Sequence, residues 1–306
     1  MTSGVTIVAY LGCALIWGTT WFAIRVCIGP GGYPTYAAAA LRFAIAIAVL
    51  GVLTALGLAG RGPAPGKPRR LVALAGLMCG LGYGLVYAGE TRISGGLAAV
   101  IFGTLPVMTA LTTAIAGVER LRGGFLVGSA VSLAGIAVIY ADRMGTSANQ
   151  AVGVALVLAS VGVCALYNLL LKRHAGASDP LATNVPFLGA AAVALGLFAL
   201  VYERTLPPWP PPVAPTLALL YLAVFGSVIT FALYFHLLRR MSLTAVSTLV
   251  FVEPVIALLI DASWEHEIRL GFRAYAGAAL TLIGVAIGLL LPKMGSKLDG
   301  PSTPAA

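Results

Sequence analysis

Along this chain, apolar runs of about twenty residues alternate with short breaks rich in arginine, lysine, glycine and proline. A run of that length, coiled as a helix, crosses the roughly 30 Å hydrocarbon core of a bilayer. Reading from break to break predicts ten helices: Thr6–Val26, Thr35–Ala59, Leu71–Gly89, Gly95–Val118, Gly124–Ala141, Val152–Leu171, Leu181–Tyr202, Pro215–Leu238, Leu243–Ser263 and Phe272–Leu291. The connections are too short to hold a soluble domain. The expected class is an all-α integral membrane protein.

Composition reinforces the pattern. Of 306 residues, 59% are hydrophobic and 9% charged, against about 25% charged in an ordinary soluble domain. Too few charges remain to build a water-facing surface, which excludes a soluble enzyme, a secreted domain and a nucleic-acid binder. The net charge of +9 is therefore read first as membrane topology, since cytoplasmic loops retain Lys and Arg. With the N-terminus inside, the cytoplasmic connections and tail hold Arg61, Lys67, Arg69, Arg70, Arg120, Arg122, Lys172, Arg173, Arg239, Arg240, Lys293 and Lys297. The opposite side holds half as many: Arg25, Arg92, Arg143, Arg204, Arg269 and Arg273. Both termini are expected in the cytoplasm.

Cysteines add no framework. Cys13, Cys27, Cys79 and Cys164 lie in or at the ends of apolar runs, without a CxxC pair, and read as small buried hydrophobes. The first run lacks a basic start and ends in Arg25, unlike a cleaved signal peptide. Residues 295–306 read as a disordered tail.

Displacing the sequence by 148 residues aligns Leu71–Gly123 with Leu219–Gly271 without a gap. Arg92 falls on Arg240, Ser94 on Ser242, Pro106 on Pro254 and Glu119 on Glu267. One inserted residue then brings Gly128 and Gly135 onto Gly277 and Gly284, and Tyr33-Pro34 matches Asp179-Pro180 at a slightly different offset. The expected units are 1–145 and 146–294, each of five helices. Five is odd, so the second unit enters the membrane from the opposite side. Inverted repeats suit alternating access, because two exchangeable packings open a central site to either face. A duplicated structural bundle without transport is the bland alternative.

At these residues the chain resembles the EamA family of the drug/metabolite transporter superfamily. The matching pieces are Trp17-Gly18, Pro34 followed by Ala39-Ala40-Leu41-Arg42-Phe43, and a core present in each half. That core runs from Gly95-Gly96-Leu97-Ala98-Ala99 through Leu105-Pro106-Val107 to Glu119-Arg120, and from Ser242 through Val252-Glu253-Pro254-Val255 to Glu267. The likeness spans about Val5 to Pro292. It implies a ten-helix bacterial inner-membrane exporter of small metabolites or drugs, driven by proton exchange, with the lipid bilayer as its surroundings. Trp264-Glu265-His266 before Glu267 departs from the family's short apolar run, so the ninth helix is expected to end early.

Glu253 is the leading proton-coupling candidate. It lies about 16 Å along a helix that starts at Ser242, near the bilayer midplane, where a carboxylate costs on the order of 3 kcal/mol and should face a cavity or partner. The alternative is a fixed glutamate beside the backbone broken by Pro254. His236, toward the inner end of the eighth run, belongs to the residue type that titrates near neutrality; a packing histidine is the alternative. Pro106 and Pro254 hold matched midspan positions, where a missing N–H frees a carbonyl that is tolerated if it lines a cavity; a packing kink reads equally well. Trp17 and Trp21 lie one turn apart with Thr20 on much the same face, and Tyr83 and Tyr87 repeat that spacing. Two such stripes suit amphipathic or cationic solutes. Core packing for Trp17 and an interface belt for Trp21 compete with this. Midspan Tyr167 and Asn168 are the second half's polar counterparts, Asn168 being the better cavity candidate. Arg42, Glu119 and Glu267 read as structural charges, Arg42 anchored near the outer face and the two glutamates at helix ends.

The expected function is proton-coupled, alternating-access export of small amphipathic, amino-acid-like metabolites or drugs. A lipid or nucleotide-sugar carrier is the rival within transport, although no Gly–Lys phosphate motif appears in the cytoplasmic loops. A membrane-embedded enzyme would need a set such as HExxH or GxSxG, and His174, His236 and His266 lie on separate elements. A helper subunit remains a further alternative. No enzymatic activity, metal, cofactor or nucleic-acid partner is expected; monomer and homodimer fit the sequence equally well.

Overall fold

The computed structural model describes residues 4–60, 62–93, 98, 101–140, 148–174, 178–203, 205–264 and 272–290. Among these residues every regular element is helical. In order they are α1 (Gly4–Ile28), α2 (Thr35–Ala55), α3 (Lys67–Glu90), α4 (Leu105–Ile115), α5 (Gly123–Tyr140), α6 (Ala148–His174), α7 (Pro180–Tyr202) and α8 (Val213–Arg240). The ninth run divides into α9a (Leu243–Ser247) and α9b (Leu249–Trp264), and α10 is Phe272–Leu290. Helices α1, α2, α3, α6, α7 and α8 are each long and apolar enough to span a bilayer, and α4, α5, α9 and α10 supply shorter apolar segments. In hydrocarbon each N–H and C=O must find its partner within the segment, which is why such runs settle as helices. Glu267 and residues 295–306 lie outside the described residues.

Local chemistry sets the helix starts. Asp179 Oδ1 accepts from Ala182 N at 3.0 Å, with Pro180 in the first turn of α7. Ser242 Oγ likewise accepts from Ala245 N at 3.1 Å to open α9a. Both are N-caps that satisfy donors left over at a helix start.

Packing follows a rule of exchange between the halves. Helix α3 packs on α6 as α8 packs on α1; α3 meets α7 as α8 meets α2; α4 meets α6 as α9b meets α1. The pairs α2–α7 and α5–α10 are their own counterparts. These two pairs run antiparallel. The end of α7 meets the start of α2, where Glu203 accepts from Tyr36 N at 2.5 Å and Ala37 N at 2.7 Å. Between α5 and α10, a Cβ added to Gly128 would stand 2.6 Å from Gly284 O, and one added to Gly135 would stand 2.6 Å from Gly277 O. Midway, Ser132 Oγ donates to Thr281 O at 3.0 Å, while Thr281 Oγ1 donates within α10 to Gly277 O at 2.8 Å. Small residues let the two backbones touch, the usual solution where lipid supplies no hydrophobic drive.

The core lies where α2, α7 and α8 meet, with Phe43, Leu50, Phe187 and Phe235 fully buried. Helix α8 is not uniform. Its backbone passes through a π-turn at Val224–Ile229 before resuming as α-helix from Thr230.

Candidate functional site

A central cavity of about 120 Å³ opens between α1, α2, α3, α6, α8, α9 and the start of α4. Eight aromatic residues line it: Trp17, Trp21, Tyr83, Tyr87, Phe102, Tyr167, Phe231 and Tyr234. The rings brace one another. Trp17 sits edge-on to Phe231 at 5.7 Å and tilted on Tyr234 at 5.3 Å, and Trp21 meets Phe102 at 6.4 Å. Tyr83 lies 6.4 Å from Tyr87 and edge-on to Phe43 at 5.3 Å. Such offset contacts hold ring orientation as well as burying area.

Arg42 and Glu253 bring charge to this wall, and both are buried. Arg42 Nε donates to Ser227 Oγ and Nη2 to Gly226 O, each at 2.9 Å. Its guanidinium carbon stands 5.4 Å from the centroids of both Phe43 and Tyr83. The Glu253 carboxylate has the Trp21 side chain as its hydrogen-bonding partner.

Several hydroxyls on the wall are already satisfied by backbone. Thr20 Oγ1 donates to Trp17 O at 2.7 Å, Ser160 Oγ to Gly82 O at 2.9 Å, and Ser247 Oγ to Thr244 O at 2.7 Å. The buried Trp17 Nε1 and Asn168 Oδ1, in contrast, have no partner among the described residues. The residues of this wall thus bring an indole donor, an amide acceptor and a carboxyl group among ring faces. That set suits a small molecule with an apolar body and a polar head, since pockets use a few placed polar groups for orientation.

Polar ties close off the helix ends around α4, α6 and α9a. Glu119 accepts from Leu243 N at 2.5 Å, Thr244 N at 3.1 Å and Thr244 Oγ1 at 2.5 Å. Lys172 Nζ donates to the carbonyls of Leu238 and Met241, and Arg173 Nη2 to Ala116 O at 2.7 Å.

Of the residues singled out from sequence, Trp17, Thr20, Trp21, Tyr83, Tyr87, Asn168 and Glu253 meet at this one cavity. Others are placed differently. Pro106 was expected to break the middle of the fourth run. The chain turns before it, at Gly103–Thr104, and Pro106 occupies the first turn of α4, where a missing N–H loses nothing; Leu105 is the residue on the wall. In the ninth run the break falls at Thr248, six residues before Pro254, and α9b continues through Pro254 to Trp264. Arg42, read from sequence as a structural charge, lies on the cavity wall with its donors on Ser227 and Gly226 of α8. His236 lies on α8 away from the cavity, its buried Nε2 without a partner among the described residues.

Sequence reasoning passed over Phe231, Tyr234 and Phe102, and read Cys164, also on the wall, only as a small buried hydrophobe. The repeat held one usable signal: Phe231 is the 148-residue counterpart of Tyr83, and Tyr167 stands 146 residues after Trp21, the offset that relates Pro34 to Pro180.

Residues 4–141 and 151–290 each match the model of the EamA-like transporter family. The chain belongs to the EamA-like transporter family. The uncharacterized inner membrane transporter YedA of Escherichia coli K12 is 31% identical over 277 residues, 88% of each chain. A probable terminal-alkyne amino-acid exporter of Streptantibioticus cattleyicolor is 27% identical over 89% of each chain, and a probable amino-acid metabolite efflux pump of E. coli K12 is 24% identical over 90% of this chain and 91% of that one. A protein of known crystal structure shares the fold, with a TM-score of 0.79 at 21% identity, covering 96% of this chain and all of the other. As an EamA-like protein with this many apolar helices, the chain is a multi-pass inner-membrane protein of a transporter family, with lipid as its solvent and a small molecule as its substrate.

Proposed function

We propose that this protein exports small amphipathic, amino-acid-like metabolites across the inner membrane by alternating access, with protons exchanged through Glu253. The carrying observation is the central cavity, whose wall draws on helices of both repeats and holds a buried carboxylate beside unpartnered polar atoms. In this reading 1–145 and 146–294 are two five-helix units inverted in the membrane, and both termini face the cytoplasm. The antiparallel contacts of α2 with α7 and of α5 with α10 support the inversion, because a two-fold axis lying in the membrane plane turns one helix of each pair end over end onto the other. Rocking of one unit against the other opens the site to each face in turn. The amino-acid-like class draws on the names of two relatives and on the cavity's mix of ring faces with a few polar groups.

Glu253 takes a proton from one side and releases it to the other as the units rock. A carboxylate held among rings at membrane depth is favoured there when it is protonated or bound to cargo for part of the cycle. The test is flux in proteoliposomes with a panel of amino acids and hydrophobic amines, with and without a pH gradient. Glu253→Gln should abolish gradient-driven flux while preserving downhill exchange. Gradient-driven flux at the wild-type rate would remove the coupling role, and no flux of any panel member by the wild type would remove the export reading.

A further inference from the structure

A π-turn holds one residue more than an α-turn, because each N–H reaches back five residues instead of four. The extra residue persists only where the displaced backbone groups find partners. In α8 three neighbouring helices provide them. From α2, Arg42 donates to Ser227 Oγ and Gly226 O at 2.9 Å each. From α7, Asn184 Nδ2 donates to Val228 O at 3.1 Å; from α1, Cys13 Sγ donates to Thr230 O at 3.6 Å. Within the turn, Ser227 Oγ donates to Leu222 O at 3.0 Å and Thr230 Oγ1 to Phe225 O at 2.6 Å, both five residues back. Gly226 makes room for the clamp: a Cβ there would stand 3.1 Å from Arg42 Nη2 and 3.0 Å from Thr20 Cγ2.

The other half lacks this device. The counterpart of the turn, 76–81, is plain α-helix inside α3, and the residue matching Arg42 at the 146-residue offset is Leu188. Directly after the turn come Phe231 and Tyr234, which brace Trp17 on the cavity wall.

We propose that Arg42 is a positioning residue: by clamping the π-turn it sets the rotational register of α8, and so keeps Phe231 and Tyr234, not their neighbours, on the cavity wall. Were the turn to tighten to α-helix, one residue would be expelled and the following helix would swing by about 100°. Residues next to Tyr234 would then take its place. In this proposal Arg42 acts on cargo through this wall, with its Nε and Nη2 both donating to α8. The proposal rests on reading the cavity as the transport site, but the register is measurable without transport.

The experiment uses the full-length protein in native membranes, with Cys13 replaced by serine to keep its donor and the other three cysteines by alanine. Leu233→Cys, Tyr234→Cys and Phe235→Cys are introduced singly, and their reaction with a small water-soluble thiol reagent is timed. Tyr234→Cys should react about tenfold faster than the other two, and both Arg42→Gln and Gly226→Ala should erase that advantage, as loss of a buried charge-assisted hydrogen bond predicts. Ser227→Ala, which removes one hydroxyl and no charge, should reduce it about threefold and decides the matter if Arg42→Gln fails to reach the membrane. An unchanged order of reactivity in all three backgrounds overturns the proposal. So does loss of transport in Arg42→Gln with the order intact, because Arg42 would then act on cargo directly. Failure of the wild type to move any solute removes the transport reading instead, and leaves the order of reactivity to decide the register.

Discussion

Replacing Gly135 with alanine should destabilise this protein, whereas the same replacement at Gly162 should stabilise it. Both glycines lie inside helices, α5 and α6, and alanine is the better helix former by about 1 kcal/mol at either. At Gly135 the new methyl would stand 2.4 Å from Thr281 Oγ1, 2.5 Å from Thr281 N and 2.6 Å from Gly277 O. Two of those atoms are backbone and cannot swing aside, so α5 and α10 must part by about 1 Å to reach an ordinary contact. A gap of that size forfeits a quarter to a half of each dispersion contact along the seam. It also stretches the 3.0 Å bond from Ser132 Oγ to Thr281 O, which is worth roughly 1 kcal/mol. Overpacking typically costs about 1–3 kcal/mol, so after the gain in propensity a net loss of about 1–3 kcal/mol is expected. At Gly162 nothing lies within 4 Å of the added carbon, and a gain of about 0.5–1 kcal/mol is expected. Thermal unfolding of the two variants and the wild type in one detergent should bracket the wild-type midpoint. A Gly135→Ala midpoint at or above wild type would refute the packing argument.

Two further outcomes follow from the site. Glu119→Gln keeps one acceptor but turns an NH₂ toward the donors of Leu243 and Thr244, and should lower stability by about 1–3 kcal/mol; an unshifted thermal midpoint would show that the α9a cap carries no energy. Asn168→Leu removes an acceptor that has no partner among the described residues, so the midpoint should hold or rise. Flux of a transported solute through that variant should nevertheless fall about fivefold or more, and undiminished flux would take Asn168 out of the recognition surface.

Much of the architecture was legible in the sequence because a membrane imposes coarse rules. An apolar run must be a helix and must end near a charge or a proline, so the predicted starts at Thr35, Leu181 and Phe272 fall within a residue of α2, α7 and α10. The site was legible in part. Stripes such as Trp17–Trp21 and Tyr83–Tyr87 share a helix face by spacing alone, and a carboxylate at midspan must turn inward. Phe102 and Tyr234 carry no such mark, because an aromatic residue in an apolar run packs equally well against lipid, core or cavity.

The sequence by itself determined the class, the span order and the internal likeness, since hydropathy and a long repeat are properties of the chain read in one dimension. Tertiary structure decided what those pieces do together. It placed the break of the fourth run before Pro106 and not at it, put Arg42 on the cavity wall with its hydrogen bonds on α8, and set Gly135 against a backbone while leaving Gly162 in open space. Each of these depends on which atoms of a distant helix lie within about 3 Å, a distance that no local pattern encodes.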